Sequence, residues 1–166
     1  MTNPEKEQRG LSLIELFIVV VIILTIEAIA IPNLLRSRMA ASESSTVASI
    51  RTINTGMIAY NSTYPTVGFA TLLSNLGGTA PCTPTLATGC LIDSVLGNGT
   101  KSGYKLVAAQ VAGTPSVSYY ASGNPITLNQ TGIRVSGPLK TVVRVDPAGG
   151  NIVSVGTCEG LLPLNQ

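Results

Sequence analysis

The strongest constraint on this chain is the stretch RGLSLIELFIVVVIILTIEAIAIPNLL, residues 9–35. Its 21 residues from Leu11 to Ile31 are nearly all apolar. As a helix that run is about 31 Å long, enough for the hydrocarbon core of a bilayer. A backbone surrounded by lipid must satisfy its own hydrogen bonds, so a single span has to be helical. Yet two acids, Glu15 and Glu27, sit inside it. A carboxylate near the centre of such a span costs about 2.5–3.5 kcal/mol on insertion scales, and each Leu, Ile or Val returns only a few tenths. An anchor alone has no use for either acid.

The flanks give the span a direction. Residues 1–10, MTNPEKEQRG, are polar and place Lys6 and Arg9 just before the apolar run, with Glu5 and Glu7 diluting the charge. Positive charge keeps such a leader on the cytoplasmic side. A secretory signal would have a shorter apolar core and a small-x-small cleavage site after it. Here the chain runs on through Pro32 into a second helical pattern, which predicts one membrane anchor near the N-terminus. Val47, Ile50, Ile53 and Met57 recur at steps of three and four, one face of an α-helix. Arg36, Arg38, Glu43 and Arg51 interleave with small residues on the remaining surface. Pro32 removes a backbone donor and crowds the preceding turn, so a kink is expected there. The expectation is one helix over 11–61, with 11–31 suited to lipid and 32–61 amphipathic, ending near Tyr60–Pro65 because the residue before a proline avoids the helical region.

The remainder, 62–166, reads as a single globular head. Hydrophobic residues make up 45% of the chain but charged ones only 11%, so this head is polar through Ser, Thr and Gly rather than through charge. From Ser62 onward Lys101, Lys105, Arg134, Lys140 and Arg144 face Asp93, Asp146 and Glu159. That near-neutral balance, with no basic stripe, gives nucleic-acid binding only weak support. Loop-like sequence with short glycine-closed turns runs to about Gly103. Strand patterns then follow at 104–111, 116–122, 140–146 and 151–156, the last two joined by PAGG as a hairpin. The expected fold is α+β: a long N-terminal helix packed on a four-stranded antiparallel sheet, its amphipathic stripe covering the sheet's apolar face.

There is no histidine, and no CxxC accompanies Cys82, Cys90 and Cys158, so no metal set is expected. Cys82 and Cys90 flank a seven-residue stretch, TPTLATG, able to turn back on itself. A disulfide there would stabilise the loop and imply an oxidising compartment. Free thiols, or a bridge from Cys158 to either of the others, are the alternatives. An enzyme reading lacks a base for any Ser or Cys nucleophile, and the acids of the head are scattered, so neither catalysis nor a cofactor is expected. Asn61-Ser-Thr, Asn98-Gly-Thr and Asn129-Gln-Thr match the glycosylation pattern at the frequency chance predicts in so Ser/Thr-rich a domain.

Gly10, then Leu11-Ser12-Leu13-Ile14-Glu15, the apolar run, and Ala30-Ile31-Pro32-Asn33-Leu34-Leu35 together resemble a type IV pilin precursor of the short-leader class. The motif match covers roughly residues 9–60. The resemblance implies that a prepilin peptidase cuts after Gly10 and methylates the new amine of Leu11, where family members more often carry Phe. It implies that Glu15 pairs with the N-terminal amine of an adjacent subunit during assembly. An assembly platform and ATPase of the inner membrane would then polymerise the subunit from membrane lipid into a helical homo-oligomer at the cell surface, serving adhesion, twitching motility or DNA uptake. A minor pilin or a type II secretion pseudopilin shares the N-terminal features; major pseudopilins commonly carry a C-terminal calcium site, and no acidic cluster for one is visible here. Glu27 departs from the family, which favours small or apolar residues at that depth. Two readings remain for it: an acid protonated in the membrane, or a partner for Arg36 or Arg38 of a neighbouring helix, 9 or 11 residues on and about 14–16 Å along the axis.

Overall fold

The computed structural model describes residues 12–111, 113–133, 135–139, 142–146 and 162–163. Gly10 and Leu11, the expected strand at 151–156 with its PAGG turn, and Cys158 lie outside the described residues. The chain divides into two compact units, one ending at Ser37 and the other beginning at Arg38. Helix α1, Leu13–Thr63, is 51 residues long and contributes to both. It runs on through Pro32 and ends two residues before Pro65, where Tyr64 takes the constrained position preceding a proline.

In the unit beginning at Arg38, α1 buries Thr46, Ser49, Ile50, Ile53, Gly56, Met57 and Tyr60, a stripe at helical spacing. Three members of the expected stripe, Ile50, Ile53 and Met57, are fully buried. Val47 is only half-buried, and Thr46 takes its place, its hydroxyl donating back to the Ser42 carbonyl at 2.9 Å. The core against this stripe contains Ala70, Leu73, Leu76, Ile92, Leu96, Leu106, Ala108, Tyr119 and Ala121. Leu73–Leu76 form a 3₁₀ turn. A short helix α2, Ser94–Gly97, is capped by Asp93, whose carboxylate accepts from the Leu96 amide at 2.7 Å.

The sheet is antiparallel throughout, in the order β1 (Thr100–Lys101), β2 (Tyr104–Gln110), β3 (Tyr119–Pro125), β4 (Val135–Leu139), β5 (Val142–Asp146) and β6 (Leu162–Pro163). This corrects the expected four strands. β2, β3 and β5 fall on predicted segments, whereas β1, β4 and β6 do not. β4 reads VSGPL, where Gly and Pro break the strand pattern in sequence. β3 begins three residues later than expected, because Ser116 is held outside the ladder. Its hydroxyl donates to the Val111 and Ser118 carbonyls at 2.7 and 2.9 Å, and its amide to Val67 at 3.1 Å.

Close approach decides which residues line the layer beneath the helix. Leu106 on β2 is paired with Gly123 on β3, and Ala108 with Ala121. A Cβ built on Gly123 would come within 2.7 Å of the Thr46 methyl and 3.3 Å of Ile50, so only glycine lets the strand backbone lie that close to α1. Phe69 and Tyr119 close one side, ring centroids 4.5 Å apart. Glu43 on α1 accepts from the Ile133 amide at 2.9 Å, fixing the turn that precedes β4.

Burial pushes the phenols of Tyr104 and Tyr119 up to about 12, with the Glu43 charge adding to the effect at Tyr104. An unfolded chain ionises both near pH 10, while the folded one holds both protons until about 12. Stability is therefore intact below pH 10 and falls as pH rises toward 12, by about 1.4 kcal/mol per pH unit for each phenol. Urea titrations of the chain in detergent should show this alkaline loss, and Tyr119→Phe should flatten it. Ile53→Ala should cost about 2–5 kcal/mol at neutral pH in the same titration, since its site is fully enclosed.

Candidate functional site

In the unit ending at Ser37, α1 is an apolar surface with few polar interruptions. Leu13 is 84% exposed, and Ile14, Leu16, Phe17, Ile22, Leu24, Ile26, Ile29, Leu34 and Leu35 are all exposed as well. The helix is long and apolar enough to cross a membrane, and the qualifying window has none of its residues buried by the chain itself. Ile and Val are mediocre helix formers in water. In lipid the helix is imposed by the need to pair every backbone group.

The polar side chains divide into two kinds. Thr25, Asn33 and Ser37 each donate to a carbonyl of their own helix: Ile22 at 2.8 Å, Ile29 at 3.1 Å and Asn33 at 2.9 Å. The single hydroxyl donors of Thr25 and Ser37 are thereby used, as is one of the two amide N–H groups of Asn33. Pro32 has no N–H for the Ala28 carbonyl, and the Asn33 side chain bonds the next carbonyl along, that of Ile29. Glu15, Glu27, Arg36 and Arg38 are exposed and have no hydrogen bond or ion pair among the described residues.

Glu15 occupies the first turn. The Ser12 carbonyl accepts from the amides of Glu15 and Leu16, both at 3.1 Å, and opens the hydrogen-bond ladder. A carboxylate here complements the positive end of the helix dipole. Glu27 sits within the apolar run, four residues before Ile31, far from either helix end and with no such help. The two acids are 12 residues apart, about 120° around the helix, so they address different directions. The described residues thus hold Glu15, Glu27, Pro32, Arg36 and Arg38 on one helix without bringing any of them into contact.

The disulfide loop is in the unit beginning at Arg38. Cys82 and Cys90 are joined, with Cα atoms 6.0 Å apart. The Tyr60 hydroxyl, near the end of α1, donates to the Leu86 carbonyl at 2.7 Å. Asn75 donates to the Ala87 carbonyl at 3.3 Å, and the Asn75 carbonyl accepts from the Gly89 amide at 2.6 Å. Sequence reasoning missed Tyr60 and Asn75 as loop anchors, since neither carries a signal beyond its residue type. Beside the 3₁₀ turn is a shallow cleft of about 140 Å³ lined by Ser74, Thr79, Ser94 and Asn98 among others, with no charged side chain. That is small beside the roughly 300–1,000 Å³ of ligand pockets. Among the described residues no three His, Cys, Asp or Glu side chains gather to hold a metal ion.

No family model matches this chain, and neither does any curated protein or solved structure.

The exposed span should govern membrane retention. Val21→Asp or Leu24→Asp adds about 2.5–3.5 kcal/mol to insertion. Each should move the chain from the carbonate-resistant membrane pellet to the supernatant, whereas Val21→Leu should leave it in the pellet.

Proposed function

We propose that this chain is the structural subunit of a type IV pilus, held in the inner membrane as a single-pass precursor and polymerised into an extracellular filament. The observation that carries this reading is the exposed apolar half of α1 with an acid in its first turn. Support also comes from the Gly10-Leu11 leader junction before it, and from the antiparallel sheet and disulfide loop after it.

In this reading a prepilin peptidase removes residues 1–10 and methylates the Leu11 amine, and an inner-membrane platform with its ATPase drives assembly. The apolar half of α1 exchanges lipid for equally apolar neighbouring helices, so the exchange itself contributes little hydrophobic free energy. Close packing supplies the cohesion, and Glu15 supplies the register. A buried carboxylate is penalised strongly when alone and relieved when it meets the positive amine of the adjacent Leu11. A misplaced subunit keeps the penalty. Residues 62–166 form the head, which faces solvent and carries adhesion, motility or DNA uptake.

Mass spectrometry of sheared surface filaments should find N-methylated Leu11 as the first residue. Glu15→Ala should leave the chain inserted and cleaved while lowering filament yield by about tenfold or more. Normal filaments from that variant would remove the role assigned to Glu15. A deletion strain with a protein-secretion defect and no missing filaments would point instead to a pseudopilin.

A further inference from the structure

Glu27 lacks the explanation available to Glu15. It lies within the apolar run, four residues before Ile31, exposed and with no hydrogen bond or ion pair among the described residues. Its polar neighbours Thr25, Asn33 and Ser37 are already committed to backbone carbonyls of their own helix. Arg36 is exposed and uncommitted like Glu27, and both belong to the unit ending at Ser37. Nine residues separate them, about 13.5 Å along the axis, too far for contact within one helix. Nine steps of about 100° also place them about 180° apart, on opposite faces. Arg38, eleven steps on, is only about 20° from Glu27 and shares its face.

Two parallel copies related by translation alone touch through opposite faces, and neighbours in a helical filament approach that relation when the rotation between them is small. That geometry selects Arg36 over Arg38. At an interaxial distance of about 8–10 Å both side chains reach the contact. We propose that Glu27 of one copy pairs with Arg36 of a second copy of this chain, displaced about 13.5 Å along the helix axis. The proposal rests on the filament reading and adds a second contact to it. The guanidinium offers a planar fork that a carboxylate can fill bidentately, and any other displacement leaves both charges without partners in an apolar stack. Because Glu15 points about 120° away, the two acids engage different neighbours.

The test uses the full chain in source cells lacking their own copy, with filament yield measured per membrane-held chain. Glu27→Gln and Arg36→Gln should each lower that ratio by about tenfold, and Arg38→Gln by less than about threefold. The double variant Glu27→Gln with Arg36→Gln should return to within about threefold of the unmodified chain, because two amides pair without charge. The reversal Glu27→Arg with Arg36→Glu should likewise assemble better than either of its single components. Losses that simply multiply in both double variants overturn the pair. So does a Glu27→Gln chain that assembles as well as the unmodified one. If the unmodified chain itself yields no filaments, the pilus reading falls, and the pair with it.

Discussion

An apolar helical surface that its own chain leaves uncovered governs the rest of this protein. From Leu13 to Leu35 the helix pairs its backbone internally, apart from the bond that Pro32 cannot make, but none of the described residues buries its side chains. Such a surface must find lipid or another apolar surface, because exposure of this area to water is strongly unfavourable. The few polar groups tolerated on it are those that turn inward to the helix's own carbonyls, as Thr25, Asn33 and Ser37 do. Glu15 and Glu27 stand out because they have no such recourse.

From Arg38 onward the same helix obeys a different rule. Its stripe is set by closeness as much as by hydrophobicity. Gly123 admits Thr46 and Ile50, the Ala108–Ala121 pair keeps the sheet surface low, and Gly56 has Ile92 3.2 Å from where its Cβ would be. A thin layer of small residues leaves room for large ones, and Ile53, Met57, Leu76 and Tyr104 are fully buried. Polar residues at the margin then serve as ties, with Glu43 fixing the turn before β4 and Tyr60 fixing the disulfide loop.

Period and length made much of this legible in the sequence. The apolar run, the stop before Pro65 and the stripe through Ile50, Ile53 and Met57 follow from a 3.6-residue repeat and the chemistry of proline. Thr46, Ser49 and Gly56 escaped that reading because they are buried for their size, and hydropathy does not register size. β4 escaped it because Gly137 and Pro138 read as a break, although pairing with β5 from Val135↔Asp146 to Leu139↔Val142 holds the segment extended. β3 was misplaced because SVSYY has the composition of a strand, while its Ser116 is drawn away by two local hydrogen bonds and one to the distant Val67 carbonyl. At the helix, the sequence offered Arg36 and Arg38 equally as partners for Glu27. Angular position on an unbroken helix distinguishes them.

The disulfide loop is held in an unusual division of labour. The Cys82–Cys90 bond closes its base, and its hydrogen bonds to Tyr60 and Asn75 use backbone groups: the carbonyls of Leu86 and Ala87 accept, and the Gly89 amide donates. The donors and acceptors that recognise them, Tyr60 and Asn75, belong to elements outside the loop. The side chain of Leu86 is meanwhile exposed. Gly89 is confined, since a Cβ there would come within 3.0 Å of the Asn75 carbonyl, but the residues from 83 to 88 can change identity while these anchors persist, because the anchors they supply are peptide carbonyls. A surface built this way can drift in sequence under selection by whatever it meets, at little cost to folding.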